Sequence, residues 1–350
     1  MSFSFTLPGL VDTHVHLREN ANIIDDLIRY SFIGGAETVL FIGNTSEGLT
    51  NYARLQAYTE CARWMVRPEY QVNIIPSLLV TEQTPLDEIK RASDAGIFDV
   101  KFLPLGRTTN SQKNGIRRYW NMIPIIAECG KLNIRVKMHP ENPLMVIDNE
   151  DAEYQFLTFA DMALNETEAE IWWEHATDGR CIPAFKEFAK TGHFSITLTA
   201  HHLLTNSSKS YGKSPETIKP SYKREYDRQA FIQLITENLP WVMAGTDSAP
   251  HPLEKKYCRF APCACGAFTA PQALPLYAHA LHYLLRTEAG RVAFKNFTSG
   301  NARVKLHLPP SKRIVTLTDT PFTMPEEYRV GNWTVEPPFA KTTINYSLAA

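Results

Sequence analysis

Residues 10–20 read LVDTHVHLREN, and the reading of this stretch decides the fold. Its first half is a short, mostly apolar run of the kind that forms a buried parallel strand. A doubly wound open sheet usually follows its first strand with a glycine-rich phosphate turn. Here the turn reads THVHLREN, with two histidines and no glycine. His14 and His16 are alternate residues, so both imidazoles project to the same side of the strand end. A strand ending in functional side chains is what a (β/α)8 barrel requires, because its chemistry lies at the carboxyl ends of its strands.

The same kind of run recurs down the chain. ETVLFIGN (37–44), VNIIPSLLV (72–80), DVKFL (99–103), IRVKMH (134–139), EIWWEH (170–175), FSITLTAHH (194–202) and WVMAGTD (241–247) bring the total to eight. Helical spacing of apolar residues lies between them, over 23–32, 53–65, 120–129, 152–164 and 228–236. The steps between strand ends fit one βα unit each, with an insertion at 203–227 before the last. This predicts an α/β fold, a TIM barrel forming a single domain over 1–350. Its core runs from about residue 8 to 307. The proline-rich tail from about 308 to 350 is expected as an extended segment packed on the barrel.

Composition sets the outer limits. The chain has 350 residues, 44% hydrophobic, which excludes general disorder. Its 36 basic and 37 acidic side chains nearly cancel, which argues against a nucleic-acid partner. No apolar run approaches the ~20 residues of a membrane helix, and MSFSFTLPGLVD lacks the features of a secretory signal. Six cysteines do not make a disulfide scaffold, so a reducing, cytoplasmic compartment is expected. Cys258, Cys263 and Cys265 cluster without a CxxC spacing and read as free thiols rather than a thiolate zinc site.

The strand ends carry the chemistry. They are His14 and His16, Asn44, His139, His175, His201 with His202, and Asp247, while the fourth run contains Lys101. A single histidine at such a place is usually a hydrogen-bonded structural residue. Their joint occurrence with Asp247 points to a metal centre. Imidazole and carboxylate suit Zn2+, and Mn2+, Co2+ or Fe2+ also fit. Four histidines and an aspartate exceed the about three protein ligands of one catalytic zinc, which suggests two ions. Two dications repel an ammonium. A carboxylated Lys101, anionic and with two oxygens, would bridge them, whereas the plain alternative is a salt-bridged barrel lysine.

HVHLR (14–18), GNT (43–45), KFLPLGRTTNS (101–111), MHPE (138–141), EH (174–175), HHLLTN (201–206) and GTDSAPH (245–251) resemble the shorter bacterial dihydroorotases of the amidohydrolase superfamily. The resemblance covers nearly the whole chain. It implies a cyclic amide hydrolase, converting N-carbamoyl-L-aspartate reversibly to L-dihydroorotate in pyrimidine synthesis, and a homodimer. It implies two Zn2+ per subunit, bridged by carboxylated Lys101 and hydroxide. His14, His16 and Asp247 would hold the more buried ion, and His139 and His175 the other. Asp247 would also shuttle the proton. Arg18 and Asn44, assisted by His251, would bind the substrate carboxylate, since a guanidinium fork matches that group. Thr108 and Thr109 would sit on a mobile lid. KPSYKREYD (219–227) and YCRFAPCACGAF (257–268) depart from the family's pattern. Tyr222 and Cys265 are their counterparts of backbone contacts to substrate. His202, rather than His201, matches the family's histidine, as a group hydrogen-bonding near the metals.

Rival readings are a hydantoinase or dihydropyrimidinase, an inactive scaffold relative, and a phosphotriesterase-like lactonase. Arg18 argues against the first, because those substrates lack the ring carboxylate. The full set of metal positions argues against the second, and GTDSAPH against the third.

Overall fold

The computed structural model describes residues 3–260 and 263–349. A short strand, β1 (Ser4–Pro8), precedes the histidine-bearing one. Eight strands then follow in a single sheet in chain order: β2 (Leu10–Val15), β3 (Ala36–Ile42), β4 (Asn73–Val80), β5 (Asp99–Phe102), β6 (Arg135–Met138), β7 (Ile171–Trp173), β8 (Phe194–Leu198) and β9 (Val242–Ala244). Every adjacent pair is parallel.

The sheet curls until its last strand meets its first. Val15 bridges Ser248, the His16 amide donates to the Ser248 carbonyl at 3.0 Å, and the Asp247 amide donates to the His14 carbonyl at 2.9 Å. Gly245 permits this approach, because a Cβ there would lie 2.7 Å from Thr13 Oγ1. The fold is therefore the expected (β/α)8 barrel.

Both faces of these strands are covered, so β2, β5, β6 and β8 are buried at every position. Val11, Leu40, Ile42, Trp172 and Met243 pack with Ala302 and Leu306 in one cluster. A larger cluster fills the space between the strands and the surrounding helices. The helices Ala21–Ile33, Tyr52–Trp64, Ile123–Lys131 and Glu225–Thr236 stand where the spacing predicts them. The one expected at 152–164 is broken into Asn149–Ala152, a 3-10 turn Tyr154–Phe156, and Leu157–Glu166. Glu153 lies at that break. Its carboxylate accepts from Trp173 Nε1, from the amides of Thr177 and Asp178, and from the Thr177 hydroxyl. The helix Leu86–Asp94 turns only Ile89 and Ala92 inward, too few apolar positions to register in the sequence.

Beyond the barrel the chain forms small antiparallel pieces. β10 (Ile314–Thr318) pairs with β1 on one side and with β15 (Ser347–Leu348) on the other. Between them, β11 (Phe322–Thr323) pairs with β14 (Thr343–Ile344), and β12 (Tyr328–Val330) with β13 (Trp333–Val335). No helix among the described residues is long and apolar enough to cross a membrane.

Candidate active site

Alternation along β2 places His14 and His16 together at the mouth, as the HVH spacing predicts. Their ring centroids are 5.4 Å apart. His175 lies 5.3 Å beyond His14, and His139 a further 4.5 Å beyond His175. The four imidazoles thus form one continuous row. Asp247 Oδ1 approaches Nε2 of His14 at 3.2 Å and Nε2 of His16 at 3.1 Å. Donor atoms of His14, His175 and Asp247 all fall within 4.8 Å of one another.

Simple alternation would not deliver all of these. On β7 the inward face carries Trp172 and then Glu174, so regular backbone would turn His175 outward. His175 instead has φ +41°, which swings its ring into the mouth. Asp247, three residues past β9, has φ +47°, and Arg18 has φ +60°. Non-glycine residues held in this region cost roughly 1–3 kcal/mol each and gather at functional sites.

The electrostatics suit a cation. Burial pushes the His16 imidazole down to about 4 and the His139 and His175 rings below their usual value, so all three are neutral near pH 7 and offer a lone pair. Burial opposes the charge on Asp247, but the surrounding His14, His16 and His175 hold its carboxyl well below the usual range. Lys101 is buried beside them, and its Nζ has no hydrogen-bond partner among the described residues. Burial lowers its ammonium to about 8. Lone pairs aimed at one place, with a carboxylate among them, are the donor set of a divalent ion.

Near His16, another part of the wall of the mouth carries a buried guanidinium. Arg18 donates from Nε to the Pro250 carbonyl at 2.9 Å, and its Nη2 lies 3.0 Å from His251 Nε2. That same nitrogen is 3.1 Å from the Cys265 carbonyl. One ring nitrogen cannot both accept and donate. Arg18 is always a donor, so a proton on His251 Nδ1 satisfies the arginine contact and leaves the Cys265 carbonyl to others. Burial and the nearby Arg18 and Lys256 charges keep His251 neutral, well below its ordinary value.

A loop from 104 to 115 closes over this wall. Thr109 takes a hydrogen bond on its carbonyl from Asn44 Nδ2 at 2.9 Å and gives one from its hydroxyl to the Cys265 carbonyl at 3.2 Å. Thr108 points its backbone into the loop, its carbonyl accepting from the Ser111 hydroxyl at 2.6 Å. Arg107 anchors the base of the loop, donating to the carbonyls of Asn142 and Ile147 at 2.7 and 2.8 Å. Tyr222 is buried with its ring against His201 and His202, and its hydroxyl has no partner among the described residues.

One reading of the sequence needs correction. Cys258 and Cys263 are joined in a disulfide rather than being free thiols, because five residues of chain bring their Cα atoms to 5.5 Å. Cys265 is free. The 257–268 stretch also includes residues 261–262, which lie outside the described residues. His202 Nδ1 is 2.7 Å from Thr199 Oγ1 and its Nε2 is 3.0 Å from the Pro220 carbonyl, so its ring links the end of β8 to the 217–224 loop. The carboxylates behind the histidines were not legible as such. Glu174 lies 2.7 Å from His14 Nδ1, and Glu141 lies 2.6 Å from His139 Nε2. Both stand inside the EH and MHPE motifs, but nothing local says which imidazole each one meets. Asp12 is a third. It accepts from the amide and hydroxyl of Thr246, tying β2 to the segment that carries Asp247.

A dihydroorotase of Shewanella denitrificans is 31% identical over 353 residues, covering 96% of each chain. A mitochondrial dihydroorotase of Oryza sativa is 29% identical over 343 residues, covering 96% of this chain and 82% of the relative. Among solved structures, the dihydroorotase of Saccharomyces cerevisiae, in complex with 5-fluoroorotic acid, shares the fold with a TM-score of 0.90. It is 24% identical and covers 99% of this chain and 98% of its own. No family model matches the chain. Near-complete coverage at this identity, on a barrel whose histidine row and arginine wall fall where the quoted motifs lie, makes the chain a member of the dihydroorotase family.

Proposed function

We propose that the dihydroorotase activity of this chain, the reversible cyclisation of N-carbamoyl-L-aspartate to L-dihydroorotate in pyrimidine synthesis, is carried out at a two-zinc centre in this mouth. His14, His16 and Asp247 would hold one ion, His139 and His175 the other, and a carboxylated Lys101 would bridge them. The observation that carries the reading is Asp247 Oδ1 lying within 3.2 Å of Nε2 of both His14 and His16. A carboxylate and two imidazoles facing one point are a cation site. Lys101 supports the second half, since a buried amine lowered to about 8 is partly unprotonated at neutral pH and open to carbon dioxide.

When bound, the ions supply Lewis acidity, activating water near neutral pH and polarising the ring carbonyl under attack. The protein residues do the rest. In ring opening, Asp247, ionised at rest, accepts a proton from the attacking water and passes it to the leaving ring nitrogen. In cyclisation it runs the transfer backwards. Arg18 and Asn44 grip the ring carboxylate, with neutral His251 holding the guanidinium in place. Thr108 and Thr109 close the loop over the substrate and exclude water. Backbone groups near Tyr222 and Cys265 line the remaining side. The barrel core and the 308–350 tail act as one domain, in a cytoplasmic homodimer.

The test is ring opening of L-dihydroorotate by the zinc-loaded protein, followed by ultraviolet absorbance, with dihydrouracil and hydantoin run alongside. Chelator-sensitive turnover of dihydroorotate alone is expected. Turnover of the uncarboxylated rings with none of dihydroorotate would overturn the assignment and move the chain to the hydantoinase reading.

A further inference from the structure

A column of charge runs inside the barrel beneath the mouth. Arg135 donates from Nε and Nη2 to the two oxygens of Asp99 at 2.9 and 2.7 Å. Lys137 Nζ stands 3.9 Å from Asp99 Oδ1 and donates to Glu174 Oε1 at 3.3 Å. The same ammonium sits 3.3 Å from the centre of the Trp172 ring. Glu174 ends the column: its Oε2 meets His14 Nδ1 at 2.7 Å and accepts from the Thr197 hydroxyl at 2.9 Å. Asp99, Lys137 and Glu174 are each 0% exposed.

Strand register builds this column. Asp99 pairs with Arg135 and Lys101 with Lys137 between β5 and β6, and Lys137 pairs with Trp172 between β6 and β7. Barrel interiors are usually filled with branched apolar side chains. Replacing buried ion pairs with well-packed apolar residues is often neutral or stabilising, so stability alone does not account for the column.

We propose that Glu174 is a positioning residue for the cation at His14. Its carboxylate accepts the Nδ1 proton, which fixes the ring's tautomer and orientation and leaves the Nε2 lone pair directed at the ion. Lys137 and Thr197 hold the carboxylate so that it cannot turn away. Glu174 touches neither substrate nor ion and acts through the imidazole. The proposal rests on the reading of His14 as a ligand.

The test measures zinc affinity by competition with a chromogenic chelator, the visible spectrum of the cobalt-substituted protein, and thermal stability. The variants are Glu174→Ala, Glu174→Gln, Asp99→Asn and His14→Ala. Asp99→Asn breaks the far end of the column and leaves the Glu174 contact alone. It is expected to lower Tm while keeping zinc affinity within about twofold and the cobalt spectrum unchanged. Glu174→Ala is expected to weaken zinc binding by about 10–100-fold and to shift the cobalt bands. Should it fail to fold, Glu174→Gln, which keeps the shape, is expected to shift the same bands with a smaller loss of affinity. Wild-type affinity and spectrum in the Glu174 variants, or losses that only follow Tm as in Asp99→Asn, overturn the proposal. Undiminished zinc binding by His14→Ala overturns the ligand reading instead.

Discussion

At the residue scale, the proposed grip of Arg18 on the ring carboxylate can be tested directly. Its guanidinium is buried, held by the Pro250 carbonyl and by His251. Arg18→Met leaves a carboxylate without its fork. The expected loss is about 100-fold in kcat/KM for dihydroorotate, mostly in KM, as for a buried charged hydrogen bond. Steady-state kinetics with unchanged KM and kcat would refute the role. Lys101 makes a second prediction. Its amine is lowered to about 8, so it loses its proton at a lower pH than a free lysine. The unprotonated fraction rises from about a tenth at pH 7 to about a half at pH 8. Reconstitution of stripped protein with zinc and bicarbonate, at fixed carbon dioxide pressure, should therefore quicken about five-fold over that interval. A flat profile would exclude carboxylation of the free amine. His14 and His16 were legible because two positions on one strand share a face. Glu174 was not, because its partner lies 160 residues away in sequence. His175 could be placed at the mouth only by ending a run there. Its positive φ, on which its inward turn depends, leaves no mark in composition.

At the scale of elements, the loop from 104 to 115 carries the proposed lid residues Thr108 and Thr109. It is tied at its base by Arg107 and latched at its tip by Thr109, between Asn44 on one side and Cys265 on the other. Thr109→Val keeps the shape and removes the hydroxyl. The expected effect is a fall of about 5–10-fold in kcat/KM, the worth of one hydrogen bond, with little change in Tm. An unchanged kcat/KM would show that the latch is idle in turnover. The sequence marked this loop through its glycine, asparagine and threonines, and the structure adds the contacts of Thr109 with Asn44 and Cys265. The disulfide between Cys258 and Cys263 was beyond reach, since spacing alone does not say that a turn folds two cysteines together. The broken helix after residue 149 has a similar cause. Four donors from two segments converge on Glu153, and the apolar period carries no trace of them.

For the whole molecule, the eight runs were enough to assign the barrel, because the strands are largely buried on both faces and most read as short apolar blocks. The tail was harder. Its strands are two to five residues long, too short for alternation to show. Its sheet also depends on β1, at the other end of the chain. Ending the chain at residue 308 would uncover Phe5 and Leu7, which the tail helps to bury. The truncated protein is expected to lose more than about 10 °C of Tm by calorimetry. An unaltered Tm would show that the tail is dispensable. The same pairing has a consequence for synthesis. Ser4–Pro8 is made about 310 residues before its partner Ile314–Thr318. At about 5–20 residues per second the wait is roughly 15–60 s. Throughout that interval the nascent chain carries an unpaired strand edge with two apolar side chains, so a chaperone has its opening at Ser4–Pro8, and a stalled message leaves that edge open to other nascent chains.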